Sequence, residues 1–225
     1  MKKARYICLE GTEGVGKTTQ TQKLVDFLRS SGYSVLQTKE PGTPLNKLTM
    51  TLRGIMLDNQ YDADMTKAAR ELISQAIRSI HMERVILPAL YEYDFIIQDR
   101  GILSGLSYGS ACGNSQGWLY DLIDHVMPVD DYTGQPIEYD NLVYLKGDVN
   151  KGLQKALASK KEFAAGDAME SRGNDFLKDV SHCMDLCSRQ FKTDIIYVDD
   201  KSIESVHSEI LKYLKIKEIH GQQES

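Results

Sequence analysis

The chain has 225 residues, 41% of them hydrophobic and 26% charged, with a formal net charge of -5. That is ordinary globular composition, long enough to bury a core, and the acidic balance argues against a dedicated nucleic-acid binder, which would carry a basic stripe to neutralise phosphates. Cys8, Cys112, Cys183 and Cys187 show no C-x-x-C spacing and read as free thiols in a reducing compartment, with His182, Cys183 and Cys187 as small apolar packing rather than metal ligands. The N-terminal apolar run is too short for a signal peptide or a membrane span, so a cytoplasmic protein is expected.

Arg5 to Glu10 is a short run of strand formers that leads straight into Gly11-Thr12-Glu13-Gly14-Val15-Gly16-Lys17-Thr18, a full match to the phosphate-loop pattern G-x-x-x-x-G-K-[ST]. From Thr19 onward an amphipathic helix follows, with Leu24, Val25, Phe27 and Leu28 on one face. The order suits a polyphosphate: glycines let backbone wrap the anion, and the positive end of the helix faces it. Lys17 would reach the terminal phosphates and Thr18 would ligate magnesium.

Ser34 to Thr38 is a second strand, and the Lys39-Glu40-Pro41-Gly42-Thr43-Pro44 loop stands at its carboxyl end, the edge where open parallel sheets bind ligands. Arg53 lies on a helical stretch from Leu45 to Leu57. Asn59 to Asp64 reads as a polar connection, and Met65 to Tyr91 as one long helical region ending near Pro88. Its Leu72, Ile73, Ala76, Ile77, Ile80 and Val85 recur at helical spacing and are expected in the core. Arg78 either snorkels at the edge of that face or points into a cleft, and the pattern alone favours the former.

Phe95 to Gln98 is a buried strand ending in Asp99-Arg100-Gly101. Such an Asp can serve magnesium and such an Arg a transferring phosphate, against the alternative of a surface ion pair. Ser104 to Met127 reads as helix loosened by glycines, Pro128 to Asn141 as loop, Leu142 to Leu145 as a fourth strand and Val149 to Ala158 as helix. Lys160 and Lys161 are either exposed charges or part of a lid closing over a nucleotide. Arg172 precedes a helix running to about Phe191, Asp194 to Val198 supplies a fifth strand, and Ser202 caps a last amphipathic helix. One domain over 1–216, with a lid segment about 159–172 and a fraying tail at 217–225, accounts for the chain.

In order, Glu10 to Thr19, Lys39 to Thr43, Leu52-Arg53, Arg78, and Asp99-Arg100 with Ser104 and Tyr108 resemble the thymidylate kinase family of P-loop nucleoside monophosphate kinases, over nearly the whole chain. The resemblance implies a three-layer α/β fold with a five-stranded parallel sheet in the order 2-3-1-4-5, ATP and Mg2+ as cofactors, a homodimer, and phosphoryl transfer to a deoxynucleoside monophosphate, most simply thymidylate. It implies that Glu13 accepts from the sugar 3'-hydroxyl, Arg53 and Arg100 hold the acceptor phosphate, Arg78 reaches the base and Tyr108 lies beneath the deoxyribose. That overrides the packing alternative for Arg78. Glu40, Ser74 and Ser104 fall on the acceptor side, Thr18 and Asp99 on the metal. No arginine stands inside the loop, so lid cations, with Lys160, Lys161 and Arg172 as candidates, would have to help.

The departures are as informative. The family's Glu-Pro-Gly-Gly-Thr has lost a glycine. A base-stacking phenylalanine is Ser74, a Tyr or His after Asp-Arg is Gly101, a common Gln is Gly109, and the lid's usual Asp-Arg aligns with Asp167-Ala168. Either other groups compensate or the pocket holds something larger, as in a viral or otherwise specialised member. A modified uracil or thymine nucleotide or several deoxynucleotides are then alternative acceptors. A kinase of another acceptor class leaves Arg53 and Arg78 unexplained, and a regulatory NTPase acting through a partner would not need Arg78.

Overall fold

The computed structural model describes residues 2–159 and 167–216. Lys160 and Lys161, half of the expected lid and the 217–225 tail lie outside the described residues.

Five parallel strands form the central sheet: β1 (Arg5–Glu10), β2 (Val35–Lys39), β3 (Phe95–Asp99), β4 (Asn141–Lys146) and β5 (Thr193–Tyr197). Their spatial order is 2-3-1-4-5. Successive side chains on a strand face opposite ways. On one face Ile7, Leu9, Ile97, Val143, Leu145 and Ile196 pack against α1 (Lys17–Ser30) and α8 (Ile203–Tyr213). On the other, Tyr6 and Ile96 meet Met82, Ile86 and Leu90, while Tyr144 meets α4 (Ile102–Ala111), α5 (Gln116–Val126) and α7 (Gly173–Ser188). Helices therefore cover both faces, as continuous apolar parallel strands require.

Of the two long helical expectations, the one from Met65 to Tyr91 holds with an added π turn, and the one from Ser104 to Met127 is revised. α3 (Lys67–His81) runs on through a π turn at Met82–Ile86 to Ala89. Pro88 supplies no N–H to Arg84, and the wider turn accommodates that loss. The Ser104 to Met127 region is two helices, α4 and α5, broken at Gly113, where φ is 88°. Within the expected 128–141 loop, Val129–Asp130 pairs antiparallel with Gln135–Pro136, and Ile137 is buried.

The largest revision concerns which face of α3 is inside. Ile77 is fully buried, but Leu72 is 52% exposed and Ala76 is also exposed. The buried face is instead polar: Glu71, Gln75, Arg78 and His81. α3 lies over a cavity and against α4, so that side is where its polar groups find partners. α2 (Lys47–Leu57) packs along α3, and Met56, Leu57 and Ile77 form a small separate core with Ala168 and Met169.

Candidate active site

The parallel register sets Leu9 beside Asp99 and Lys39 beside Asp99, so the tips of β1, β2 and β3 open onto one place. Glu10 points to the face opposite Leu9. Its Oε1 accepts from the N–H groups of Gly101 (2.8 Å), Leu103 (2.9 Å) and Ser104 (3.2 Å), and its Oε2 from the Ser104 hydroxyl. A carboxylate from β1 thus caps the N-terminus of α4, offsetting the burial that pushes its carboxyl up.

The phosphate loop leads from β1 into α1 without a side-chain cap: Gly16 is the N-cap, and the first turn carries no acidic residue. Free N–H groups and the helix dipole are thereby left for an anion. At Gly14 φ is 68°, and a Cβ there would lie 1.8 Å from the Gly152 carbonyl oxygen, so only glycine lets α6 (Val149–Ser159) rest on the loop. Lys17 Nζ donates to the Thr12 carbonyl. Burial and the nearby Arg100 guanidinium draw its ammonium down to about 8, against the pull of Glu13, Asp99 and Glu10.

The Thr18 hydroxyl donates to Asp99 Oδ2 at 2.7 Å, while Asp99 Oδ1 is buried without a partner. Arg100 has φ 66°, a left-handed backbone that costs a side-chain-bearing residue roughly 1–2 kcal/mol. Its N–H donates to the Leu9 carbonyl (2.9 Å) and its carbonyl accepts from Gln98 Nε2 (2.8 Å), which holds the strained turn. The turn swings the guanidinium over the loop: Nη1 donates to the Gly11 carbonyl (2.9 Å) and Ser104 Oγ (3.2 Å), Nη2 to Glu13 Oε1 (2.6 Å). Tyr108 donates to the same Glu13 oxygen at 3.1 Å, with Arg100 over its ring at 5.5 Å.

Beyond Arg100 the site is a side-chain network. Arg78 donates through Nε (3.1 Å) and Nη2 (3.0 Å) to Glu40 Oε2, through Nη2 to the Gly101 carbonyl (3.1 Å) and through Nη1 to Gln75 Oε1 (3.3 Å). Glu40 Oε1 meets His81 Nδ1 at 3.1 Å, and His81 Nε2 meets the Thr38 hydroxyl at 2.7 Å. Burial by itself would push the Glu40 carboxyl up, but Arg78 and His81 overcome it and hold it at about 2. Arg53 Nη1 donates to the Pro41 carbonyl (2.9 Å), and its Nε is buried without a partner.

Lys17, Thr18, Glu40, Arg53, Arg78, Asp99, Arg100 and Tyr108 line one cavity of about 550 Å³, which Ser74, Lys67, Glu71, Asn114, Lys155 and Asp167 also reach, while Glu10, Gln75 and His81 stand behind that lining. Arg172 is not among its lining residues. It sits 3.6 Å from Asp62, over the Phe176 ring at 5.2 Å, and among the described residues Lys155 on α6 brings a cation to the cavity. Two of the three positions that became small are not vacant. A Cβ on Gly101 would lie 2.4 Å from the Tyr139 hydroxyl, and one on Gly109 would lie 2.7 Å from Glu71 Oε2. Sequence reasoning missed Glu10, Tyr139, Glu71, Gln75 and His81. The one available signal was the i, i+4, i+7 polar spacing of Glu71, Gln75 and Arg78.

A phosphate loop at the tip of a parallel strand, facing cations from two further elements across a shared cavity, defines the class of P-loop phosphotransferases. The family model described as Thymidylate kinase matches residues 9–210, and the chain belongs to that family, whose members are kinases acting on nucleotides. It is 30% identical to the thymidylate kinase of Exiguobacterium sp. over 92% of each chain, and 28% identical to that of Finegoldia magna over 95% of this chain and 99% of that one. The fold is shared with a thymidylate kinase structure from Ehrlichia chaffeensis, at TM-score 0.71 and 22% identity, covering 94% and 99% of the two chains. Among the described residues no helix is long and apolar enough to cross a membrane.

Proposed function

We propose that this chain transfers the terminal phosphoryl group of ATP to a deoxynucleoside monophosphate, thymidylate before others. The observation that carries the reading is the single cavity in which the phosphate loop, with Lys17 and Thr18, faces Arg53, Arg78 and Tyr108 across Arg100. Phosphoryl transfer asks little covalent chemistry of the protein. Its requirement is to hold two anions in line and offset their charge.

In this reading the loop and α1 N–H groups cradle the donor phosphates, and Lys17 and Arg100 neutralise the group in transit. Lys155 adds charge from α6. Glu13 and Tyr108 bracket the acceptor sugar, and Arg53, with its unpartnered Nε, meets the acceptor phosphate. Thr18 and Asp99 fit a Mg2+ ion: both offer hard oxygens, and Asp99 Oδ1 is buried with nothing to bind. Among the described residues no group of three or more His, Cys, Asp or Glu could hold a metal, which suits an ion shared with substrate phosphates rather than caged by protein. Bound there, it would neutralise the phosphates.

The homodimer belongs to the same proposal. Leu48 and Ile55 on α2 and Leu72 on α3 are 55%, 39% and 52% exposed, and a second copy of the chain would cover them. A monomer by sedimentation at micromolar concentration removes that part. The kinase reading is tested by coupled ATP consumption against thymidylate, hydroxymethyldeoxyuridylate and the other natural deoxynucleoside monophosphates. Saturable consumption with thymidylate is expected. The same rate with no monophosphate present would point to a hydrolytic module instead.

A further inference from the structure

Residues 67, 71, 75 and 78 recur along one side of α3, as Lys, Glu, Gln and Arg. Glycines recur every fourth position along α4 and just beyond it, at 101, 105, 109 and 113. The two stripes are in register. Arg78 donates to the Gly101 carbonyl and Lys67 to the Gly113 carbonyl. A Cβ on Gly105 would lie 2.5 Å from Arg78 Nη2, and one on Gly109 would lie 2.7 Å from Glu71 Oε2. Long polar side chains of α3 thus fill the volume that α4 leaves empty.

Glu71 is the member of this stripe with unused capacity. It is 6% exposed and lines the cavity. Its Oε1 accepts from Gln75 Nε2 at 2.7 Å, whereas its Oε2 accepts no hydrogen bond from the described residues. The residue is largely withdrawn from bulk water yet lines the cavity, so a donor arriving there would offset the cost of holding its carboxylate. The position says where the donor would come from. Eight residues of α-helix, about 12 Å at 1.5 Å each, separate Gly101 beside the phosphate loop from Gly109 beside Glu71. That is the reach of a nucleotide from its phosphate to the far edge of its base. Ser74, where the family stacks a phenylalanine, lies one helical turn from Glu71 and lines the same cavity.

We propose that Glu71 reads the base of the acceptor nucleotide, its Oε2 accepting a hydrogen bond from a donor on the base edge, so that polar recognition from α3 replaces the missing aromatic platform. The donor is either a ring N–H or a hydroxyl on a ring substituent. The inference rests on the kinase reading above. It has a sharp consequence, because a site built to bond an N–H or O–H rejects the analogue that lacks it more strongly than an apolar pocket rejects a change of size.

The test is steady-state kinetics at saturating ATP for the wild type, Glu71→Ala and Glu71→Gln, with thymidylate, 3-methylthymidylate and hydroxymethyldeoxyuridylate as acceptors. The Gln variant keeps an oxygen for Gln75 and places an amide N–H toward the donor, so it reports even if the Ala variant folds poorly. The wild type is expected to favour the donor-bearing acceptor by about ten- to a hundredfold in kcat/KM, with both variants losing that preference through acceptor KM while the KM for ATP stays put. Discrimination against 3-methylthymidylate identifies the ring N–H as the source; preference for the hydroxymethyl compound over thymidylate identifies the substituent. Equal losses on all three acceptors make Glu71 a support for Gln75 and Arg78 only, and unchanged ratios leave it no role; either overturns the inference. A wild type that phosphorylates none of the three overturns the kinase reading itself, and this inference with it.

Discussion

The two ends of the cavity are built from different material. Around Lys17 the site is made of main chain: loop glycines at positive φ, uncapped N–H groups of α1, and the carbonyls of Thr12 and Gly11 that hold Lys17 and Arg100. Around Arg78 it is made of side chains drawn from β2, α3 and the loop after β2, linked from Thr38 through His81, Glu40, Arg78 and Gln75 to Glu71. A main-chain site needs only a few residue types at fixed spacing and survives change around it. In a side-chain site one group can be exchanged for another from a different element, as Tyr139 beside Gly101 and Glu71 beside Gly109 illustrate.

The comparison is broken most severely at its main-chain end. Lys17→Ala is expected to lower kcat by about 10²–10³-fold or more, since it removes a preorganised cation from the transferring phosphoryl group. The fold and acceptor binding should be unaffected, because Lys17 bonds only within the loop. Single-turnover assays beside acceptor titration by calorimetry read the two separately. Transfer near the wild-type rate would remove the role assigned to Lys17, and lost acceptor binding would mean that the two ends are one unit.

Acid should dissolve the other end first. The folded Glu40 carboxyl sits at about 2 against an ordinary value of 4.5, so it contributes stability that is complete above about pH 4.5 and is lost as pH falls toward 2. At 1.36 kcal/mol per pH unit that window is worth about 3 kcal/mol. Glu10 and Glu71, pushed up by burial, act with the opposite sign, so the quantity to measure is the difference between the wild type and Glu40→Gln. Urea unfolding at pH 7 and at pH 3 is expected to show the gap between the two proteins shrinking in acid. A constant gap would mean that the Arg78 pair does not hold the carboxylate ionised.

The same contrast explains what could be read before any coordinates. The phosphate loop and the five strands were legible because each rests on local pattern or on a motif whose glycines answer a main-chain demand, whereas the strand order came only from the resemblance to the family. The inward face of α3 was not, because counting apolar spacing placed Leu72 and Ala76 in the core, while the polar spacing of Glu71, Gln75 and Arg78 was the face that mattered. Polar residues turn inward only where partners await them, and those partners were glycine-made spaces on α4, about thirty residues away in sequence. Likewise Ser74, Gly101 and Gly109 read as lost volume, yet Tyr139 and Glu71 occupy two of the three places. Compensation between distant elements leaves no periodic trace.

The mildest perturbation is also the most discriminating. Glycine inside a helix usually costs about 0.5–1 kcal/mol relative to alanine, so Gly→Ala on a helix ordinarily stabilises. At Gly54 on α2 a Cβ would meet nothing within 4 Å, and Gly54→Ala is expected to gain about that amount. At Gly105 the new Cβ would lie 2.5 Å from Arg78 Nη2 and 3.0 Å from Nη1. Arg78 cannot retreat without releasing Glu40 and the Gly101 carbonyl, its partners on the far side. Overpacking of that kind reverses the sign, and Gly105→Ala should lose about 1–3 kcal/mol and raise the acceptor KM, with the KM for ATP unchanged. Urea midpoints at constant m-value, measured on both variants, decide the matter. Were Gly105→Ala to behave like Gly54→Ala, the guanidinium would have room to spare, and the close fit between the polar stripe of α3 and the glycines of α4 would not be what organises the acceptor end.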